Sequence, residues 1–191
     1  VIDVIADGMK TSAKLGLIAA FGAAIVGIVL GAVAALRRNK LIDKIIMVIT
    51  TAFVSMPSFI MGSFLLVVFA VKLRWVPANG STAAGLILPI ITLGLYPMAY
   101  ITRLTRSSML DVLGEDYIRT SRARGVSERV VVCVHAFRNA IIPVLTSVGL
   151  RFGSLLAGAT LTETVFSIAG IGRLTVDAVS QRDYPLIQGC I

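Results

Sequence analysis

The side chains best suited to covalent chemistry are scarce in this chain and do not converge. The single histidine, His135, lies in VCVHAFRN, where only Cys133 is near, at a spacing that does not set two metal ligands on one helix face. A structural histidine is the better reading than a ligand or a general base. Cys133 and Cys190 are 57 positions apart and fit no metal-ligand spacing. No Ser/His/Asp grouping or pair of carboxylates on one helix face points to hydrolysis. No GxxxxGK(S/T) loop is present to cradle phosphate, so the chain has no visible means of holding ATP. These residues predict a protein that is not an enzyme and that carries no metal or cofactor of its own.

The elements that must position these residues are membrane helices. Hydrophobic residues make up 57% of the 191 and charged residues 15%, with a mean hydropathy of +0.91, whereas a soluble domain is about 25% charged. Aromatics reach only 7% while glycine numbers 17, the small and aliphatic bias of packed membrane helices. Disorder, collagen and disulfide scaffolds are excluded. Leu15 to Leu36 is an uncharged run of about 33 Å as helix, enough to cross a hydrocarbon core of about 30 Å. Ile45 to Val71 predicts a second span, kinked at Pro57 within SMPSF. Leu86 to Thr102 predicts a third, with Pro89 near its start and Pro97 near its middle. Ala140 to Thr162 predicts a fourth, with Pro143 in its tolerant first turn. A fifth begins at Pro185 and stops at Ile191, while Val1 opens the chain, so a fragment truncated at both ends is expected.

Within the fourth span Arg151 stands out, because an intramembrane charge costs several kcal/mol unless it meets water or a partner. It predicts a pathway residue, with a structural ion pair or a snorkelling side chain as the other reading. Glu163, twelve positions on and about 18 Å along a helix, cannot be its neighbour on that helix. Gly149, Gly153, Ser154 and Gly158 form a small-residue face, suited to close helix packing or to lining a path.

A net charge of +8 raises the question of nucleic acid. The cations instead gather between apolar runs without interleaved aromatics, as they do in cytoplasmic membrane loops, so no nucleic-acid partner is expected. Eleven of the eighteen Lys and Arg lie in residues 37–44 (RRNKLIDK) and 103–139, which places both loops in the cytoplasm. Trp75 in RWVPANG then falls at the outer interface.

The long loop at 103–139 is charged and periodic, and should be structured. The third helix is expected to run past Arg103 through Leu113, where Gly114 takes a left-handed stop and Asp116 caps a short helix over Tyr117 to Arg124. Gly125 breaks that helix, and Ser127 caps another over Glu128 to Ile142. Helix, glycine turn, helix is a shape that can dock and pass force as a rigid knob, although an ordinary solvated loop has the same composition.

The strings DYIRTSRARGVSERVVVCVHAFRNAIIP and TETVFSIAGIGRLTVDAVSQRDYPLIQG, with SMPSF and RWVPANG, closely resemble the permease subunits of ABC importers for dipeptides, oligopeptides and nickel. The resemblance extends over nearly the whole chain. It implies an all-α polytopic fold, the transmembrane domain of a type I importer, here with about five of six spans and residues 1–191 as one permease domain. It also implies that the loop holds a coupling helix seated in a cleft of an ATP-hydrolysing subunit. The matching positions are Glu115, Asp116, Tyr117, Arg119, Thr120, Ser121, Arg122, Ala123, Arg124, Gly125, Ser127 and Glu128. The general importer signature has Glu-Ala-Ala before its glycine, where this chain has Arg119, Thr120 and Ser121 before Gly125, so no role of that glutamate carries over. The signature's later Ile-x-Leu-Pro is replaced by HAFRN, with Pro143 beyond it. Pathway candidates are Arg151, Ser154 and Gly158 on the fourth span and Met56 and Ser58 beside Pro57.

The partners implied are a second homologous permease, two ATP-binding subunits carrying ATP and Mg, an extracytoplasmic substrate-binding protein and the bilayer of the cytoplasmic (inner) membrane. The cargo implied is a small peptide, with nickel or a metal chelate as the alternative. A secondary transporter or channel is the other alternative; a secondary transporter would need coupling-ion carboxylates within its spans, and all ten acidic residues are expected in loops or near span ends.

Overall fold

A computed structural model describes residues 2–78, 80 and 82–190, with side chains for all of these except 151–158. Among the described residues every regular element is helical: α1 (Ile2–Leu36), α2 (Leu41–Ser55), α3 (Ser58–Leu65), α4 (Ile87–Leu113), α5 (Asp116–Ala123), α6 (Glu128–Val130), α7 (Phe137–Val165), α8 (Ile171–Gln181) and α9 (Tyr184–Cys190). Wide π-helical turns extend α3 over Leu66–Lys72 and join α6 to α7 over Val131–Ala136. Among the described residues three stretches are long and apolar enough to cross a membrane, Ile2–Leu36, Ala84–Leu113 and Glu128–Leu150, and α2 with extended α3 makes a fourth if the broken pair is one span.

Several helix boundaries differ from the expected ones for physical reasons. Residues 2–14 are helical and not a loop, so α1 reaches 35 residues, about 52 Å. The charged Asp3, Asp7 and Lys10 stay exposed on this stretch while Ser12 is buried, and Gly8 lets α1 approach α8 closely: its missing Cβ would lie 3.2 Å from the Ile171 nitrogen. At Pro57 the helix does not merely kink. It ends at Ser55 and restarts at Ser58, with Pro57 extended at ψ 137° in the N-cap position of α3. Pro143 sits well inside a helical run that begins at Glu128, and not in a first turn. The third helix does run through Leu113, with Pro97 tolerated inside it.

The chain forms two compact units, residues 1–22, 56–96 and 152–191 in the first and 23–55 and 97–151 in the second. The first is built on Leu15, Ala19, Leu88, Leu93, Phe166 and Ile168, with Phe69 and Val76 packed against them. Its polar node lies at the start of α8. Gly170, the N-cap, has no side chain to satisfy the helix's free N–H groups. Glu163 of α7 takes that role and accepts the Arg173 N–H at 3.0 Å, while Ser12 of α1 accepts the Ile171 N–H at 2.9 Å and donates its hydroxyl to Glu163. Gly170 is required for space, not for a turn: its φ is −103°, and a Cβ there would fall on the Glu163 carboxylate.

The second unit packs α1 against α4 through Gly27 and Gly31, a small-xxx-small pair. A Cβ on Gly27 would stand 2.8 Å from the Met98 carbonyl oxygen and 2.9 Å from the Ile101 Cβ, and one on Gly31 would meet Thr102 and Thr105. This close approach is the one the sequence reading expected of Gly149. Around Gly149 there is open space, and Gly153, Ser154 and Gly158 lie outside the residues with described side chains.

Two carboxylates expected in loops or at span ends are buried. Glu163 is fully enclosed within α7, and Asp43 lies in the first turn of α2. Asp43 is held by Arg106 of α4 through paired contacts of 2.6 and 2.7 Å, and it also accepts the Asn39 N–H at 2.9 Å.

Candidate functional site

The loop between α4 and α7 is a folded object within the second unit. The last turn of α4 tightens, with Gly114 and Glu115 donating to the carbonyls of Asp111 and Val112, each at 3.1 Å. Gly114 is not left-handed, contrary to the sequence expectation; the turn closes by three-residue bonds that any backbone accepts. Glu115 in extended conformation is the N-cap of α5, and Asp116 is its first helical residue, where a carboxylate favours the helix dipole without making a cap bond.

The left-handed residue is Gly125, at φ +78°. Its N–H donates to the Arg122 carbonyl at 2.9 Å, and the Val126 N–H donates to the Ser121 carbonyl at 3.3 Å, the paired bonds of a Schellman stop. The apolar contact that accompanies such a stop is present. Ile118, Val131 and Ala136 are fully buried together, with Val112, Leu113 and Val126 against them. Ser127 then leads α6 by its backbone, accepting from Val130 at 2.9 Å and Val131 at 3.0 Å; its hydroxyl makes no cap bond.

Two polar contacts brace the same face. Asn139 donates to the Tyr117 hydroxyl at 2.8 Å, and Arg122 grips Glu128 at 3.0 and 2.7 Å. The Glu128 carboxylate makes the Arg122 guanidinium harder still to deprotonate, so the pair persists from the arginine side at all physiological pH. The pair is exposed and contributes little energy; Ile118 is the anchor. The other face of α5 is exposed at Glu115, Asp116, Arg119, Thr120, Ala123 and Arg124; among the described residues its side chains make local contacts, a loose 3.4 Å pair of Arg119 with Asp116 and the Thr120 hydroxyl donating to the Asp116 carbonyl at 2.9 Å. The segment is thus a short rigid helix keyed by one buried isoleucine, with charged and hydroxyl groups turned outward.

The remaining candidates are scattered. Met56 is exposed and Ser58 half-buried on either side of Pro57, in the first unit. The side chains of Arg151, Ser154 and Gly158 lie outside those described. His135 is half-buried, and among the described residues no group of three metal-ligating side chains occurs. Cys133 and Cys190 are both free thiols. Trp75 is exposed and rests on Phe69, ring centroids 5.6 Å apart. Sequence reasoning missed the Asp43–Arg106 pair, which joins residues 63 apart and leaves no local signature. It also missed Gly27 and Gly31, whose four-residue spacing was visible in the sequence.

Residues 27–191 match the family model described as binding-protein-dependent transport system inner membrane component. The chain is 44% identical to a di/tripeptide transport system permease protein, DppB, of Pseudomonas aeruginosa, over 93% of this chain and 62% of that protein. It is 46% identical to the glutathione transport system permease protein GsiC of Shigella flexneri and to that of Escherichia coli K12, in each case over 98% of this chain and 62% of the relative. The chain therefore spans about 62% of the length of these curated relatives. In fold it is similar to a chain of an amino acid ABC transporter crystallised with histidines, with a TM-score of 0.70 at 16% identity, covering 99% of this chain and 85% of that one. The membrane helices, the folded loop and these matches together make the chain a member of the binding-protein-dependent transport system inner membrane component family, an all-helical, multi-pass inner-membrane protein.

Proposed function

We propose that this chain is a permease subunit of an ATP-driven importer for small peptides, of the dipeptide, oligopeptide or glutathione type, working by alternating access. The observation that carries the reading is the Ile118-anchored α5 with its exposed outer face, a knob built to receive force from a separate subunit. Two cytoplasmic ATPase subunits would supply that force, a second permease would complete the pathway, and an extracytoplasmic binding protein would deliver the cargo. The residues proposed to meet the ATPase are Glu115, Asp116, Arg119, Thr120, Ala123 and Arg124. Tyr117, Ser121, Arg122, Gly125, Ser127 and Glu128 would hold the knob's shape. Arg151, Ser154, Gly158, Met56 and Ser58 remain the proposed pathway positions. Peptide cargo is preferred to nickel because the names of the similar permeases refer to di/tripeptides and glutathione.

The test is Gly125→Val in the assembled complex. A branched side chain cannot hold φ +78° without strain of about 1–3 kcal/mol, so the stop should slip and α5 lose its register. The expected result is intact membrane insertion and assembly, continued ATP hydrolysis and at least roughly tenfold lower peptide uptake per ATP, a loss of coupling of about 1.4 kcal/mol or more. Unchanged uptake per ATP would remove α5 from the coupling role.

A further inference from the structure

We infer that the turn joining α1 to α2 is a binding site for anionic phospholipid headgroups. The turn is rigid: Asn39 is left-handed at φ 63°, Lys40 donates its N–H to the Arg37 carbonyl at 2.9 Å, and Asp43 accepts the Asn39 N–H. Around it stand Arg37, Arg38, Lys40 and Lys44, all exposed, and none in an ion pair among the described residues.

The one acid in this stretch cannot neutralise them. Asp43 is turned inward, its side chain 3% exposed and both oxygens engaged by Arg106. Four cations within eight residues are thereby displayed, none of them held in an ion pair among the described residues.

The neighbouring side chains indicate which anion completes the site. Leu41 is 72% exposed and Val48 68%, with Leu36, Ile42 and Ile45 also bare. A soluble acidic protein would cover the cations and leave this apolar ledge wet. A lipid monolayer covers both, acyl chains along the leucine, isoleucine and valine side chains and phosphates at the arginines and lysines. Lys40 precedes α2, and Lys44 in the first turn donates its N–H to the Lys40 carbonyl at 3.1 Å, which keeps the two lysines close enough along the chain to suit a single headgroup.

The experiment is native mass spectrometry of the full chain in detergent, with phosphatidylglycerol and phosphatidylcholine added in equal amounts. It is repeated on the fourfold variant Arg37→Gln, Arg38→Gln, Lys40→Gln, Lys44→Gln, and on Arg129→Gln, Arg138→Gln as a control for lost charge elsewhere. The expected result is preferential retention of phosphatidylglycerol that falls by about tenfold or more in the fourfold variant, since each cation engaged at an anionic surface contributes a factor of about five. The control should keep the preference, and circular dichroism should show both variants equally helical. Equal retention by the fourfold variant and the native chain would overturn the inference. So would displacement of the lipid by millimolar inorganic phosphate, which would assign the site to a soluble anion.

Discussion

Glu163 shows how one side chain can hold three helices. Its carboxylate replaces the cap that Gly170 cannot provide for α8, and Ser12 of α1 completes the ring of donors around it. Because the group is fully buried, its value lies in satisfying donors that would otherwise be stranded. Glu163→Ala should leave the Arg173 N–H and the Ser12 hydroxyl without their partner and destabilise the fold by about 2–4 kcal/mol, against a smaller loss for Glu163→Gln, which still accepts. Thermal unfolding in detergent measures both; equal midpoints for the two variants would mean the hydrogen bonds contribute nothing.

Between elements, the second unit relies on a close glycine seam and one ion pair. Gly27 and Gly31 bring α1 against the α4 backbone, and Arg106 ties α4 to the α1–α2 turn through Asp43. Arg106→Leu strands a buried carboxylate and is expected to cost about 3–5 kcal/mol. The double variant Asp43→Leu, Arg106→Leu removes the charge altogether and should recover most of that loss. A double-mutant cycle by denaturant or thermal unfolding reads the coupling directly; simple additivity of the two single losses would show that the pair is not a unit. The break at Pro57 and the π turns at Leu66–Lys72 and Val131–Ala136 are further departures from regular helix, each leaving backbone groups to new partners.

At the scale of the whole molecule the distribution of cations sets the sidedness of the loops. Ser127→Cys in a Cys133→Ser, Cys190→Ser background leaves a single thiol, on the loop beside α6, where Ser127 is exposed. A membrane-impermeant maleimide added to intact cells or right-side-out vesicles should leave it unlabelled, and permeabilisation should expose it to full labelling, as the concentration of cations in 37–44 and 103–139 requires. Labelling from outside would invert the topology and with it the coupling proposal.

By itself the sequence determined the class of protein and the layout of the loop. Apolar runs longer than a bilayer have few other fates, and the stop at Gly125 and the helix start after Ser127 are local signals whose meaning does not depend on distant residues, although the Ser127 hydroxyl makes no cap bond and the burial of Ile118 was not legible. Tertiary structure alone decided the helical start of α1, the outright break at Pro57, and the burial of Asp43 and Glu163. It also decided that Gly27 and Gly31 make a close seam. The physical reason is common to all of these. Whether a polar residue stays in water, or a glycine is needed for space, depends on what a remote helix brings against it, as Arg106 does to Asp43 across 63 positions and Ser12 to Glu163 across 151.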